Sequence, residues 1–395
     1  MVTRAAELVA PAVAEQSVSP LTVCHFTVAH TQLKSRSFHR QFMPLTAAGV
    51  NIRYAAPARG VSQRDGVDFV PLPERANRPL RLRAITRLLR TLLRQRAGLY
   101  HFQDPQLLPI AFALKLLFRK RVVYDAYEDF PSIAASHRSI PPWLRPLAGK
   151  IVTFLERLAA LVFDGIITAD SRTLRRLARQ GKSRKLVFYN FPNLDFFPPP
   201  SRQTKRFDLV YRGGLSERTG TFLLLESMNE LASRGMRPRL LLIGYFDDNA
   251  SERKLRQRIS ELALDPYVEI CGRIEHEDMS RLLGEARIGI SPLQPIPKFQ
   301  LNLPVKIFEY WACGLPVIAS DLVPMRPFFR DGYAGLLFPP SSIAELARSI
   351  AWMLDHPDEA ARMGCNGRNL VEQRLNNAAE VAKLHRFCSQ IAAMP

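Results

Sequence analysis

Two rounds of one alternation run through this chain, in which short apolar runs give way to stretches whose apolar positions recur at helical spacing. Strand-like runs are expected at Leu21–Val28, Val50–Ala55, Tyr100–Gln103, Val122–Asp125, Gly165–Thr168 and Leu186–Tyr189, with helices at Phe38–Ala48, Leu107–Phe118 and Trp143–Phe163. A second series has strands at Phe207–Tyr211, Leu240–Ile243, Tyr267–Cys271, Ile288–Ser291 and Pro316–Ser320. Its helices are expected at Phe222–Ser233, Arg253–Ala263, Asp278–Glu285, Ile343–Leu354 and Ala378–Ala392. Such alternation builds parallel sheets covered by helices. Between the series, Asn190–Thr204 (NFPNLDFFPPPSRQT) breaks the pattern with prolines and polar residues and reads as an interdomain linker. Two α/β halves of comparable size imply a cleft between them, the usual place for a ligand.

Composition narrows the classes. At 395 residues and 47% hydrophobic content, two cores are within reach. A net charge of +19 attracts phosphate, whether on a nucleotide, a nucleic acid or an anionic lipid. Cys24, Cys271, Cys313, Cys365 and Cys388 are odd in number and lack CxxC spacing. That favours a reduced, cytosolic chain over a disulfide scaffold or zinc site. Glu7, Pro11 and Glu15 interrupt any signal core in Met1–Pro20, which is expected to be a disordered lead-in. No apolar run approaches the roughly 18 residues needed to span a bilayer, so a membrane role would be one of lying on it. Arg78–Arg96 has Arg83, Arg87, Arg90 and Arg94 on one side and Leu82, Ile85, Leu89, Leu92 and Leu93 on the other. It reads equally as a helix on an anionic membrane or as a packed helix with a solvated basic face. The turn after the first strand, AHTQLKSRS, has no glycine, which argues against an NAD fingerprint.

The ligand-bearing ends of the strands carry YHFQDPQ and YDAYEDFP. His101, Asp104, Asp125, Tyr127, Glu128 and Asp129 are therefore candidates for an acceptor pocket or catalytic base, although each could equally be a cap or a core-lining polar residue. In the second half, RGGLSERTG at Arg212–Gly220 sets Gly213 and Gly214 where main-chain N–H groups can meet an anion, with Arg212 and Arg218 beside them. The CGRI turn, Gly272, Arg273 and Ile274 included, could form a flat slot for a nucleobase. In Leu301–Asp321 (LNLPVKIFEYWACGLPVIASD), Pro304 suits a first helical turn and Gly314 a left-handed C-cap, which predicts a helix of about three turns and then a strand. Ile307, Phe308, Trp311 and Ala312 would face a core while Lys306 and Glu309, spaced i,i+3, project together. One reading gives Lys306 a diphosphate and Glu309 sugar hydroxyls; the other is a solvated pair worth a few tenths of a kcal/mol. The chain has no D-x-D pair to hold a divalent metal, so Arg, Lys and helix dipole would have to neutralise an anionic leaving group.

Leu303–Asp321 resembles the PNK-L-FEYMA-G-PVIASD segment of retaining glycosyltransferases of family 4, the group 1 enzymes of GT-B fold. YHFQDPQLLP, VVYDAYEDFP, FDGIITA, the GGLS–R–G turn, CGRI and ARIGISPL follow in the order such enzymes show, and the sequence is similar to members that build bacterial exopolysaccharide, capsule or lipopolysaccharide. The resemblance implies an α/β GT-B architecture, two Rossmann-like domains facing a central cleft. Residues 21–192 would form the acceptor domain, 193–372 the nucleotide-sugar domain, and 373–395 a last helix packing back on the first domain. It implies a catalytic set of His101, Asp125, Tyr127 and Glu128. The donor set would be Lys306, Glu309, Arg212, Arg218, Gly213, Gly214, Gly272, Arg273 and Ile274. Neither metal nor cofactor is expected. The partners would be a nucleoside-diphosphate sugar, a glycan or polyprenyl-linked acceptor and the cytoplasmic face of an anionic membrane, with no nucleic acid. Gln103 and Tyr127 stand where similar sequences carry His, Val305 where they carry Asn, Thr219 where they carry a basic residue, and Leu301 where the wider family has a carboxylate. The leading expectation is a hexosyltransferase of surface-polysaccharide synthesis; the alternative is a catalytically impaired homologue serving as a scaffold.

Overall fold

The computed structural model describes residues 21–28, 37–57, 62–72, 82–137, 140–177, 181–199, 204–274, 276–296, 299–300 and 303–394. The first half carries strands β1 (Thr22–Phe26), β2 (Asn51–Pro57), β3 (Gln63–Arg64), β4 (Val67–Leu72), β5 (Leu99–Phe102), β6 (Val122–Ala126), β7 (Gly165–Thr168) and β8 (Arg184–Val187). They form one sheet in the order β3-β4-β2-β1-β5-β6-β7-β8, parallel except for the β3–β4 hairpin. The second half has β9 (Phe207–Gly214), β10 (Leu240–Tyr245), β11 (Val268–Cys271), β12 (Ala286–Ser291), β13 (Val317–Ser320) and β14 (Gly335–Phe338), all parallel, in the order β11-β10-β9-β12-β13-β14. In both sheets the strand order reverses beside the first strand, at β1/β5 and β9/β12. Crevices at such reversals are where open α/β sheets bind ligands.

The runs expected to be strands are strands because they are buried on both faces: Tyr100, Phe102, Val122 and Tyr124 on one sheet, Leu209, Val210, Leu241 and Ile290 on the other. Several elements were not expected. The β3–β4 hairpin turns on Asp65 and Gly66, both at positive φ. Helices Phe130–Ser136, Ser171–Leu177, Arg326–Gly332 and Pro357–Gln373 and strand β14 also occupy stretches where the sequence pattern predicts no element. Strand β8 begins and ends two residues before the expected Leu186–Tyr189.

The basic Leu82–Arg94 helix buries Leu88 and Leu92 and packs Ile85, Leu89 and Leu93 against the first core, leaving Arg87, Arg90 and Arg94 exposed. Its apolar side is thus used inside the fold. Nor is the described part of the expected linker, residues 190–199, a loose tether. Phe191 and Phe197 are buried in the second core, Phe191 meets Phe308 at 4.8 Å, and Arg368 donates to the Phe197 carbonyl at 2.8 Å. The last helix, Asn377–Ala392, lays Val381, Leu384, Phe387 and Ile391 on the first sheet. There Gly165 leaves the room: a Cβ at that position would stand 2.5 Å from Ile391 and 2.8 Å from Phe387.

Candidate functional site

The Lys306–Glu309 helix spans Val305–Ala312, about two turns rather than three, with Pro304 as its N-cap and not inside the first turn. Gly314 ends it at a φ of 70°. Close contacts seat it: Trp311 Nε1 donates to the Ala334 carbonyl at 2.9 Å, and Gly289 and Gly367 supply flat floors against the Tyr310 and Trp311 rings. Every residue of the helix except Val305 is buried, Lys306 and Glu309 included. The solvated i,i+3 pair is therefore overturned, because Glu309 takes its partner from another element.

That partner is Arg212, at the end of β9, whose Nη1 donates to Glu309 Oε2 at 2.5 Å. The Arg212 main-chain N–H donates to the Tyr310 hydroxyl at 2.8 Å, and that hydroxyl donates to the Ile290 carbonyl at 3.3 Å. One buried tyrosine thus ties β9 to β12 at the strand-order reversal. Glu309 Oε1 is buried and has no hydrogen-bond donor among the described residues. Its other neighbour is Arg40 of the first half, whose Nη2 lies 4.0 Å away while Nη1 donates to the Asn190 carbonyl at 2.7 Å. An acceptor oxygen left open in this way is suited to a ligand hydroxyl.

Lys306 lies with its Nζ 4.1 Å from the centroid of the Tyr211 ring. Gly213, at a φ of 141°, runs beside it, and a Cβ there would approach Nζ to 3.0 Å. Burial brings the Lys306 ammonium down to about 7, with Arg212 pushing the same way and Glu309 opposing. A buried amine beside bare backbone and a helix N-terminus will accept an anion readily. The turn that follows is held by Tyr211 and Thr219, whose hydroxyls both donate to the Gly214 carbonyl, at 2.8 and 2.7 Å.

The other residues expected on the donor side divide. Gly272 is open, with nothing within 4 Å of a notional Cβ, and the Arg273 guanidinium stacks on the Tyr245 ring at 4.8 Å. Tyr245, half-exposed at the end of β10, also borders Gly214. Ile274 packs against the second core. Arg218 lies apart, paired with Asp247 at 2.7 Å in an open groove of about 380 Å³ that also presents Glu217, Phe222 and Lys254.

In the first half, His101 and Asp125 lie inside the sheet rather than on its surface. His101 Nδ1 is 2.8 Å from His25 Nδ1, and burial pushes the His101 imidazolium down to about 4, so the ring is neutral near pH 7. Asp125 Oδ2 accepts from Gln41 at 2.9 Å and Gln103 at 2.8 Å, while Gln103 accepts from Ser37 at 2.6 Å. Gln103 is thus one link in a buried polar chain. Asp104 accepts from Thr27 Oγ1 and the Val28 N–H, both at 2.7 Å, and holds the end of β1. Asp129 accepts from Ser132 at 2.5 Å and lies 3.8 Å from Arg176. Tyr127 is half-buried, edge-on to Phe130, and Glu128 is exposed, so these two reach solvent where His101 and Asp125 do not. Arg40, Tyr310 and Tyr245 carry much of the site's geometry and were not among the sequence candidates.

The sequence matches the family described as Glycosyl transferase 4-like domain over residues 29–190 and the one described as Glycosyl transferases group 1 over residues 206–356. It is 25% identical over 179 residues to the amylovoran biosynthesis glycosyltransferase AmsK of Erwinia amylovora, covering 45% of this chain and 43% of that one. It is 23% identical over 331 residues to the MMP alpha-(1->4)-mannosyltransferase of Mycolicibacterium hassiacum, covering 75% and 77%. The chain spans less than half the length of the first curated relatives it matches. Among solved structures it is similar to Anabaena Alr3699/HepE in complex with UDP, with a TM-score of 0.73 and 14% identity over 94% of this chain and all of that one.

Proposed function

The chain belongs to the group 1 glycosyl transferases and has their GT-B fold of two parallel-sheet α/β domains, and from that premise we propose that it is a retaining, metal-independent hexosyltransferase. It moves a hexose from a nucleoside-diphosphate sugar to a lipid-linked glycan in surface-polysaccharide synthesis, working at the cytoplasmic face of a membrane. The observation that carries this reading is the group of buried Lys306 and Glu309 with partly exposed Arg212, set at the strand-order reversal beside bare glycine backbone.

Lys306 takes the diphosphate together with the Gly213–Gly214 backbone, and the open oxygen of Glu309 takes ribose hydroxyls. The Gly272–Ile274 turn, roofed by Arg273 on Tyr245, takes the base. Tyr127 and Glu128 face the transferred sugar and the acceptor, while His101 and Asp125 hold the loops that carry them. As the sugar–phosphate bond breaks, negative charge builds on the diphosphate and is met by Lys306, Arg212 and the helix dipole. The acceptor hydroxyl then attacks the oxocarbenium-like centre from the face the diphosphate leaves, its proton passing to an oxygen of the departing diphosphate. That AmsK is a glycosyltransferase of amylovoran biosynthesis, and that HepE was solved with UDP, supports the polymer and the nucleotide.

The test is a melting-temperature screen against UDP, GDP, ADP and their sugars without added metal. A nucleotide that binds only the folded chain should raise the melting temperature as its concentration passes the dissociation constant. Glu309→Ala and Lys306→Ala should abolish both that rise and sugar transfer. Full activity in both variants would sink the assignment.

A further inference from the structure

The Arg145–Val162 helix leaves an unusual face uncovered. Trp143, just before it, and Leu147, Ile151, Phe154 and Leu161 along it are between 49% and 77% exposed. Their spacing of four, four, three and seven residues keeps them in one stripe along the helix. Lys150 and Arg157, two turns apart, border one side of the stripe; both are exposed and neither has an ion-pair partner among the described residues. The helix's one acidic residue, Glu156, points the opposite way. It is buried, accepts from the Tyr124 hydroxyl at 2.9 Å and is paired with Arg176 at 2.8 Å. Gly149 marks the packed side, where a Cβ would meet the Pro131 carbonyl at 3.0 Å.

We propose that this face docks on an anionic lipid surface, with the apolar stripe in the headgroup boundary and Lys150 and Arg157 on the lipid phosphates. The occupant follows from charge. An aromatic and aliphatic stripe bordered by unpaired cations and free of carboxylates, on a chain of net charge +19, fits a negatively charged interface. A second copy of the chain would set the same cations against themselves. No described helix is long and apolar enough to cross a membrane, so the contact is peripheral. The basic Leu82–Arg94 helix, which the sequence offered for this task, has spent its apolar side on the core and retains only charge. The inference deepens the membrane-side reading above and rests on it only for the place of action.

Its test uses no nucleotide, so its outcome is separate from that of the nucleotide screen. The full chain is sedimented with phosphatidylcholine vesicles containing or lacking phosphatidylglycerol. Binding is expected to the anionic vesicles and to fall with salt. The double variant Leu147→Glu/Phe154→Glu should lose it by about tenfold or more, and Arg87→Gln/Arg90→Gln should bind nearly as wild type. Trp143 gives a second readout: brominated lipid should quench its fluorescence, and Trp143→Phe should remove the quenched fraction. No binding by the wild type, binding unchanged by the double variant, or a dimer that only the double variant dissolves would each overturn the proposal.

Discussion

Lys306 and Glu309 are three residues apart, yet each is governed by what lies far away in the chain. For Glu309 that is Arg212, and removing the guanidinium leaves a carboxylate 1% exposed with only a distant cation. Arg212→Ala should therefore destabilise the fold by about 1–3 kcal/mol in urea titrations, an effect that Glu309→Gln should reduce in the double variant. Lys306 makes stability depend on pH. Its folded pKa of about 7 lies below the ordinary lysine value of 10.5, so the burial penalty is complete below about pH 7, where both states hold the proton. As pH rises toward 10.5 the unfolded chain stays protonated and the folded one does not, so this group's contribution grows more favourable, by at most about 1.4 kcal/mol per pH unit. The stability difference between wild type and Lys306→Met should shrink across that window; a constant difference would show that the amine keeps its proton. A bound diphosphate should restore the proton, so nucleotide binding above about pH 7 should take one up, measurable as a buffer-dependent heat. The sequence exposes both residues because their motif is local. It hides Arg40 and Tyr310, whose roles exist only once β9, β12 and the first-half helix around Arg40 converge.

Secondary elements show the same division. Long apolar runs give β5 and β6 to within a residue at each end and the starts of β9 and β10, which run on three and two residues past the expected ends, since burial on both faces needs no particular neighbour. Seven-residue helices such as Phe130–Ser136 and Ser171–Leu177 are too short for periodicity to register. The β3–β4 hairpin was legible: Asp65-Gly66 is a two-residue turn signal between the apolar alternation of β4 and a β3 of only two polar residues, too short to register as a strand. Pro357–Gln373 was hidden by Gly364 and Gly367, poor helix formers that are there for packing, since a Cβ on them would press the Gly314 carbonyl or the Trp311 ring. Those two glycines and Gly289 form the seat of the Lys306 helix. Gly289→Val should cost about 1–3 kcal/mol by pushing on Tyr310, and weaken nucleotide binding although it touches no ligand. Unaltered binding with lowered stability would separate the seat from the site.

At the scale of the whole molecule, the expectation of two α/β halves holds, and what the sequence could not convey is how tightly they are fastened. A proline-rich stretch looks like a tether until Phe191 and Phe197 are seen inside the second core. The last helix depends on contacts made almost two hundred residues earlier, such as the Glu380 carboxylate on the Tyr189 N–H at 2.9 Å. Leu384→Ala in that helix should destabilise the first half by about 2–5 kcal/mol, seen as faster amide exchange in β7 and β8 than in β9 or β10. The chain passes between halves twice, near Pro192 and again near Asn377, and the two passages touch, with the Asn377 N–H on the Pro192 carbonyl at 2.9 Å. A single connector would let one half swing, tilt and twist against the other. Two connectors fastened side by side act as the spine of a book: they leave opening and closing about one axis and resist shear between the facing pages.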